Sequence, residues 1–131
     1  MNRIETVFRQ HLLAHPGLTA IVGSRIYMIA RPNTSALPAL TLHLISNLPQ
    51  RDLDDVAYMQ ARIQVSCWAT SYGHAKAVPD EIRAAVETFR ELPGIIDAEV
   101  VYEREDYDGE ATIYHVPVDV LIKYDQNEIG G

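Results

Sequence analysis

The stretch RIQVSCWATSYGHAKAVPDEIRAAVETF, Arg62 to Phe89, changes its period halfway along. Ile63, Val65 and Cys67 alternate with Arg62, Gln64, Ser66 and Trp68, so the first part has an apolar and a polar face. That alternation predicts a half-buried strand. From Thr70 the apolar residues Ala75, Val78, Ile82, Ala85, Val86 and Phe89 recur at helical spacing, which predicts a helix with one buried stripe. Ser71 is placed to cap its start and Pro93-Gly94 to end it. Pro79 is discordant, because proline lacks the N–H and clashes one turn back. A kink or break within Ala75 to Val78 is expected, with Pro79, Asp80 and Glu81 in the first turn of the main helix.

Upstream, Ile4, Val7, Phe8 and Leu12 predict a helix over residues 2–14, stopped by Pro16-Gly17. LTAIVG gives a short helical turn ending in a left-handed residue at Gly23. RIYMIA, Arg25 to Ala30, reads as a short strand, and RPNTSALP as a turn-rich link. In Ala39 to Leu48, Leu40, Leu42 and Leu44 lie on one face and Thr41 and His43 on the other. This strand pairs with YMQARIQVSCWA across a long loop, Pro49 to Val56, longer than common hairpin loops and so a candidate functional arm. Downstream, AEVVYEREDY and ATIYHVPVDVLIKY flank Asp108-Gly109, a hairpin signal. Thr112, Tyr114, Val116, Val118, Val120, Ile122 and Tyr124 share one face, and Pro117 predicts a sheet edge or a bulge there. Residues 125–131 read as a frayed tail. The fold class is α+β: a mostly antiparallel sheet of four to five strands, with an N-terminal helix and one long helix packed on one face, in a single domain over 1–131.

A chain of 131 residues buries about two thirds of its unfolded surface without a metal or disulfide staple. Apolar residues make up 47% and charged residues 22%, a globular mix, and one cysteine excludes an internal bridge. The N-terminus lacks the apolar run of a signal peptide, and no segment approaches the roughly 20 apolar residues of a membrane span, so a soluble, unexported chain is expected. The net charge of −7 is uneven. Residues 1–46 carry Arg3, Arg9, Arg25 and Arg31 against Glu5, whereas residues 97–110 carry seven acids against Arg104. Such a balance disfavours tight binding to duplex DNA, whose phosphates demand a basic footprint.

The search for chemistry is negative. His11 and His15 are four apart, but no HExxH pattern accompanies them, and they read as solvent-facing or cap-side residues. Cys67 precedes His74 by seven residues, yet it shares the apolar face with Ile63 and Val65 and is expected buried and inert. Asp54-Asp55 and Asp106-Asp108 lack calcium-loop spacing, and no glycine-rich phosphate loop is present. No catalytic residue, metal or cofactor is expected.

The same central stretch resembles the phage tail-completion family, the tail-terminator or tail-to-head joining proteins of long-tailed phages. Arg62, Gln64, Trp68, Ala69, Ser71, Tyr72, Ala75, Arg83 and Ala85 occupy the positions of that signature. VGSRIYMIARP, LPALTLHLIS and the closing YHVPVDVLIKY are similar to its flanking motifs, so the likeness spans residues 2–124. Pro79 and Pro117 depart from it. The resemblance implies a structural virion protein and no enzyme. It implies a homo-oligomeric ring, typically a hexamer, that caps the tail tube at the neck end of the virion tail after assembly in the host cytoplasm. Its partners would be the tail-tube protein and a head-completion or neck protein, with DNA only in passage and no membrane; the alternative is a head-tail connector or other neck protein on the same scaffold. Candidate subunit or tube contacts are Arg25 and Arg31, facing the acidic residues Glu103, Glu105 and Asp106 of a neighbour, and the arm residues Arg51, Asp52, Asp54 and Asp55.

Overall fold

A computed structural model describes residues 2–53 and 55–129. Its elements are α1 (Ile4–Leu13), α2 (Pro16–Val22), β1 (Ile26–Met28), β2 (Ala39–Arg51), β3 (Val56–Ala69), α3 (Tyr72–Phe89), β4 (Ile95–Glu103), β5 (Asp106–Asp108) and β6 (Ile113–Tyr124). They form an α+β fold with one six-stranded sheet in the order β1-β2-β3-β6-β4, and β5 also pairs with β6. Every pairing is antiparallel except β1 with β2. The alternation read from sequence decides which face is covered: Leu40, Leu42, Ile63, Val65, Cys67, Val118, Val120 and Ile122 are all buried. The helices supply the other half of this core through Phe8, Leu12, Val78, Ile82 and Phe89, and the Phe8 and Phe89 rings meet edge to face at 5.0 Å.

Helix α3 does not break. It runs unbroken from Tyr72 to Phe89 with Pro79 inside and buried, and Ser71 Oγ accepts the His74 N–H at 3.2 Å as its cap. The proline forfeits one backbone bond, but an uninterrupted helix keeps Ala75, Val78, Ile82, Ala85 and Phe89 on one buried stripe. Burial of that stripe outweighs the local penalty. Of the two histidines of the N-terminal region, His15 is the N-cap residue of α2, as the cap-side reading expects, and His11 lies in the last turn of α1. His11 Nε2 lies 2.9 Å from Ala85 O and 2.8 Å from Thr88 Oγ1. His15 Nε2 lies 2.9 Å from Glu81 Oε2. Both tie the N-terminal helices to α3.

Half of the expected long loop, Pro49 to Arg51 and Val56, is strand. The β2–β3 ladder continues through Pro49↔Met59 and Gln50↔Tyr58 to Arg51↔Val56, so the strands reach well into the expected loop. Proline is tolerated there because β2 has an open side. At the other hairpin, Gly109 has no positive φ; Thr112 takes it instead, at 54°. Asp108 Oδ1 accepts the N–H of Glu110 at 3.0 Å and of Ala111 at 3.2 Å, which builds a four-residue loop in place of a tight Asp-Gly turn. Pro117 is not at an edge, because β6 is flanked by β3 and by β4 and β5. Arg104 N donates to Pro117 O at 3.1 Å. The missing proline N–H therefore faces the point where β4 gives way to β5.

The C-terminal residues are tied down as far as Ile129. Asp125 N donates to Gly94 O at 2.8 Å, Gln126 Nε2 to Asn2 O at 2.9 Å, and Ile129 is buried. Gly94 adopts φ +83, and a Cβ there would meet Glu128 C at 2.8 Å, so glycine is required for this closure. Replacing Ile129 by alanine should cost about 2 kcal/mol, the low end for a buried isoleucine. Denaturant unfolding measures it; an unchanged midpoint would mean that the tail is loose after all.

Candidate assembly surfaces

Cys67 and Trp68 face opposite sides of β3. The thiol lies in the core, where burial pushes its pKa up to about 12, so it is a packing group and not a nucleophile. His74 is exposed on α3. Among the described residues, no group of three or more histidine, cysteine or acidic side chains is placed to hold a metal ion, and no helix is long and apolar enough to cross a membrane.

The sheet face turned away from the helices carries a bonded polar layer that the sequence pattern does not announce. Asp119 is only 6% exposed there. Its Oδ2 accepts Arg62 Nε at 2.8 Å, and its Oδ1 accepts Gln64 Nε2 at 3.0 Å. Both partners sit beside it because β3 and β6 pair Gln64 with Asp119. Four residues further along the same ladder, Trp68 stacks on His115 with centroids 4.0 Å apart and rings 4° from parallel. Trp68 Nε1 donates to Thr41 Oγ1 at 3.0 Å, and His115 Nε2 lies 3.0 Å from Ser66 Oγ. Burial, partly offset by Asp106, lowers the His115 pKa below 6.5. With hydrogen bonds and stacking to fix its rotamers, this face is a rigid surface without a second layer of helices. The one sequence hint was the set of polar residues alternating along β3.

The predicted contact residues fall into three groups. Arg25 is spent on carbonyls, with Nε donating to Pro38 O at 2.9 Å and Nη2 to Ile21 O at 3.3 Å. Arg31 lies 5.3 Å from the Trp68 ring centroid. Of the acids, Glu103 pairs with Arg83 at 2.6 Å, Glu105 with Lys76 at 2.5 Å and Asp106 with Arg104 at 2.9 Å. Arg31 and Asp106 line one cavity of about 400 Å³ together with Trp68 and His115; the other predicted contacts do not converge on it. In the arm, Asp52 Oδ1 accepts the Asp55 N–H at 3.1 Å and Asp55 Oδ1 accepts the Val56 N–H at 2.7 Å, so these carboxylates shape the turn. Arg51 and Asp55 are exposed, and Leu53 between them is fully exposed. Asp54 lies outside the described residues. The β3–β6 ladder ends at Met59↔Tyr124, and the arm projects past that end of the sheet.

Sequence reasoning missed the exposed apolar residues of the strands. The ladder of β2 skips Ile45, and that of β4 skips Ile96 and Val101; all three are exposed. Bulges re-aim side chains in this way. Among the described residues, every large apolar side chain exposed outside the helices lies on the β1–β2 side of the sheet, on the arm, or on β4 and β5.

A sheet with a fixed polar face, apolar side chains along its borders and a projecting hairpin is built to meet other protein surfaces. The chain belongs to the family described as tail completion protein gp17, which it matches over residues 6–125. It is thus a structural component of a phage-type tail, in a family of virion proteins and not of enzymes. A comparison with curated proteins finds no match. Among solved structures the fold is similar to that of a chain in the virion of a native gene transfer agent particle, with a TM-score of 0.75 and 15% identity. That likeness covers 92% of this chain and 93% of the other.

Two measurements check the polar face. Asp119→Ala should cost about 2 kcal/mol, within the range for charged hydrogen bonds and discounted because Arg62 is partly exposed; Asp119→Asn should cost less. His115 should titrate below 6.5 by NMR. Its neutral form is favoured in the fold, so its contribution is present above the unfolded pKa and is lost as pH falls from there through the folded value. A His115 titration at or above the unfolded value would overturn the buried, neutral assignment.

Proposed function

We propose that this chain completes the tail by forming a ring, typically of six copies, that caps the tail tube, ends its growth and offers a joint to head-completion or neck proteins. The observation that supports ring formation is the placement of exposed apolar side chains along two opposite borders of one sheet. Two unlike borders give each copy two unlike contacts, the requirement of a head-to-tail closed ring. Family membership supplies the tail, and the virion chain of similar fold is consistent with use in a tailed particle. The neck end of the virion tail is the site this reading implies, with assembly in the host cytoplasm.

The arm is the proposed tube contact. Leu53 offers an apolar tip, and the charges that neighbour it in sequence, Arg51, Asp52, Asp54 and Asp55, would set orientation more than affinity. DNA enters only as cargo moving through the lumen. A chain carrying −7 repels phosphates over about one Debye length, roughly 8 Å at physiological salt, which favours sliding over sticking.

Negative-stain images of the purified protein with tail-tube subunits test this reading. The expected picture is tubes of limited length with a ring at one end. Leu53→Asp should leave the melting temperature unchanged, because the side chain is fully exposed, and reduce the capped fraction at least tenfold. Normal capping by Leu53→Asp removes the arm from the contact, and rings found only on heads favour a connector or other neck protein instead.

A further inference from the structure

We propose that neighbouring copies in the ring meet border to border, the β1–β2 side of one sheet against the β4 side of the next, through side chains and without extending the sheet. The proposal rests on the ring reading above and assigns its surfaces.

The β1–β2 ladder stops at Met28↔Leu42, so β2 beyond residue 42 has a free side. Met28, Ile29, Ile45 and Leu48 are exposed along this border. On the opposite border, the skips in the β4–β6 register leave Ile96 and Val101 without partners. Both are exposed beside Tyr102, Ile96 at 56%. In a subunit acting alone, these apolar side chains would gain nothing from exposure. The outermost strands β1 and β4 are guarded against further pairing, although β2 beyond residue 42 is not. Ile26 O accepts Arg9 Nε at 2.7 Å, and Met28 O accepts Ala30 N at 2.8 Å. Two bulges interrupt β4, and such devices block strand addition. Side-chain contact is what both borders still permit.

Backbone conformation points to the same place. Ile29 has φ +68 and is 72% exposed. A β-branched residue in that region is strained, and inside the subunit its side chain recovers little for that cost. Packing against a neighbour would repay it.

Charge distinguishes the two borders. Arg9 and Arg25 bond to carbonyls and Arg31 lies over Trp68, and among the described residues none of the three forms an ion pair with a carboxylate. The charges of Arg9 and Arg25 remain uncancelled around β1, whereas Arg31 shares its cavity with Asp106 and Asp108 of the same chain. Residues 97–110 carry seven acids against Arg104. Helix α3 and its C-cap Arg90 pair with several of these acids, but residues 72–90 are together neutral, with Lys76, Arg83 and Arg90 against Asp80, Glu81 and Glu87. The acidic surplus therefore stands. A basic border and an acidic one on opposite sides of a single sheet favour head-to-tail over like-to-like contact.

Two border variants test this, Ile29→Asp with Ile45→Asp and Ile96→Asp with Val101→Asp. All four side chains are exposed, so both proteins should keep the wild-type circular dichroism and lose no melting temperature, and relief of the strain at Ile29 can only raise it. Self-association is read by sedimentation velocity in solution, and by cross-linking followed by mass analysis for copies on tail-tube ends. The wild type should form closed oligomers in at least one setting, and each variant should lose self-association at least tenfold. Mixing the two variants should restore dimers and nothing larger, since one intact border of each kind survives. The proposal is overturned by a variant that assembles like the wild type, by a mixture that yields no dimer, or by wild-type copies that stay separate even on tubes. Rings that form through these borders but leave tubes uncapped would instead contradict the functional reading and keep the contact.

Discussion

The pairing of β3 with β6 governs the rest of the molecule. It runs in unbroken register from Met59↔Tyr124 to Ala69↔Tyr114. On one side it lines up Ile63 with Val120 and Val65 with Val118, all fully buried under α3. Each such side chain contributes on the order of 1.5–3 kcal/mol when buried. On the other side the same register sets Gln64 beside Asp119 and Trp68 beside His115. A slip of one residue would exchange the faces, burying Arg62 and Gln64 and exposing the valines. The core and the rigid polar face are thus two consequences of one register.

That register also explains where the protein is unfinished. With the helices on one face and a bonded polar layer on the other, the large apolar side chains exposed outside the helices are pushed to the sheet borders and the arm, among the described residues. The border strands are short or bulged, which protects a subunit from indiscriminate strand pairing while leaving side chains available. The proposed joining of copies and closing of a tube needs this combination. The subunit must be inert toward random partners and adhesive at chosen places.

Much of this was legible in sequence, for stated reasons. Period-two alternation in Arg62 to Trp68 and period 3.6 from Ala75 to Phe89 reflect burial, and burial is what patterns record. What failed were local rules overridden by packing. Pro79 sits inside α3 because the buried stripe on both sides holds the helix together. Pro49 continues a strand because it lies on one with an open side, and Ile129 packs because Gly94 makes room for the chain's return. The Asp119 network and the bulged Ile45, Ile96 and Val101 were invisible for another reason. They depend on cross-strand register, which residue spacing within a single strand does not encode. The sequence also suggested that Glu103 and Glu105 were free for a neighbour, whereas both are engaged by α3.

Hydrogen exchange followed by mass spectrometry, on the free subunit and on tail-bound copies, tests most directly whether the protein acts through its sheet borders. In the free subunit the β3 and β6 amides should exchange slowest. On assembly, protection should rise in β4 and in residues 43–48 of β2, with α1 and α3 unchanged. Protection that grows over α1 and α3 while both borders stay as before would contradict the account.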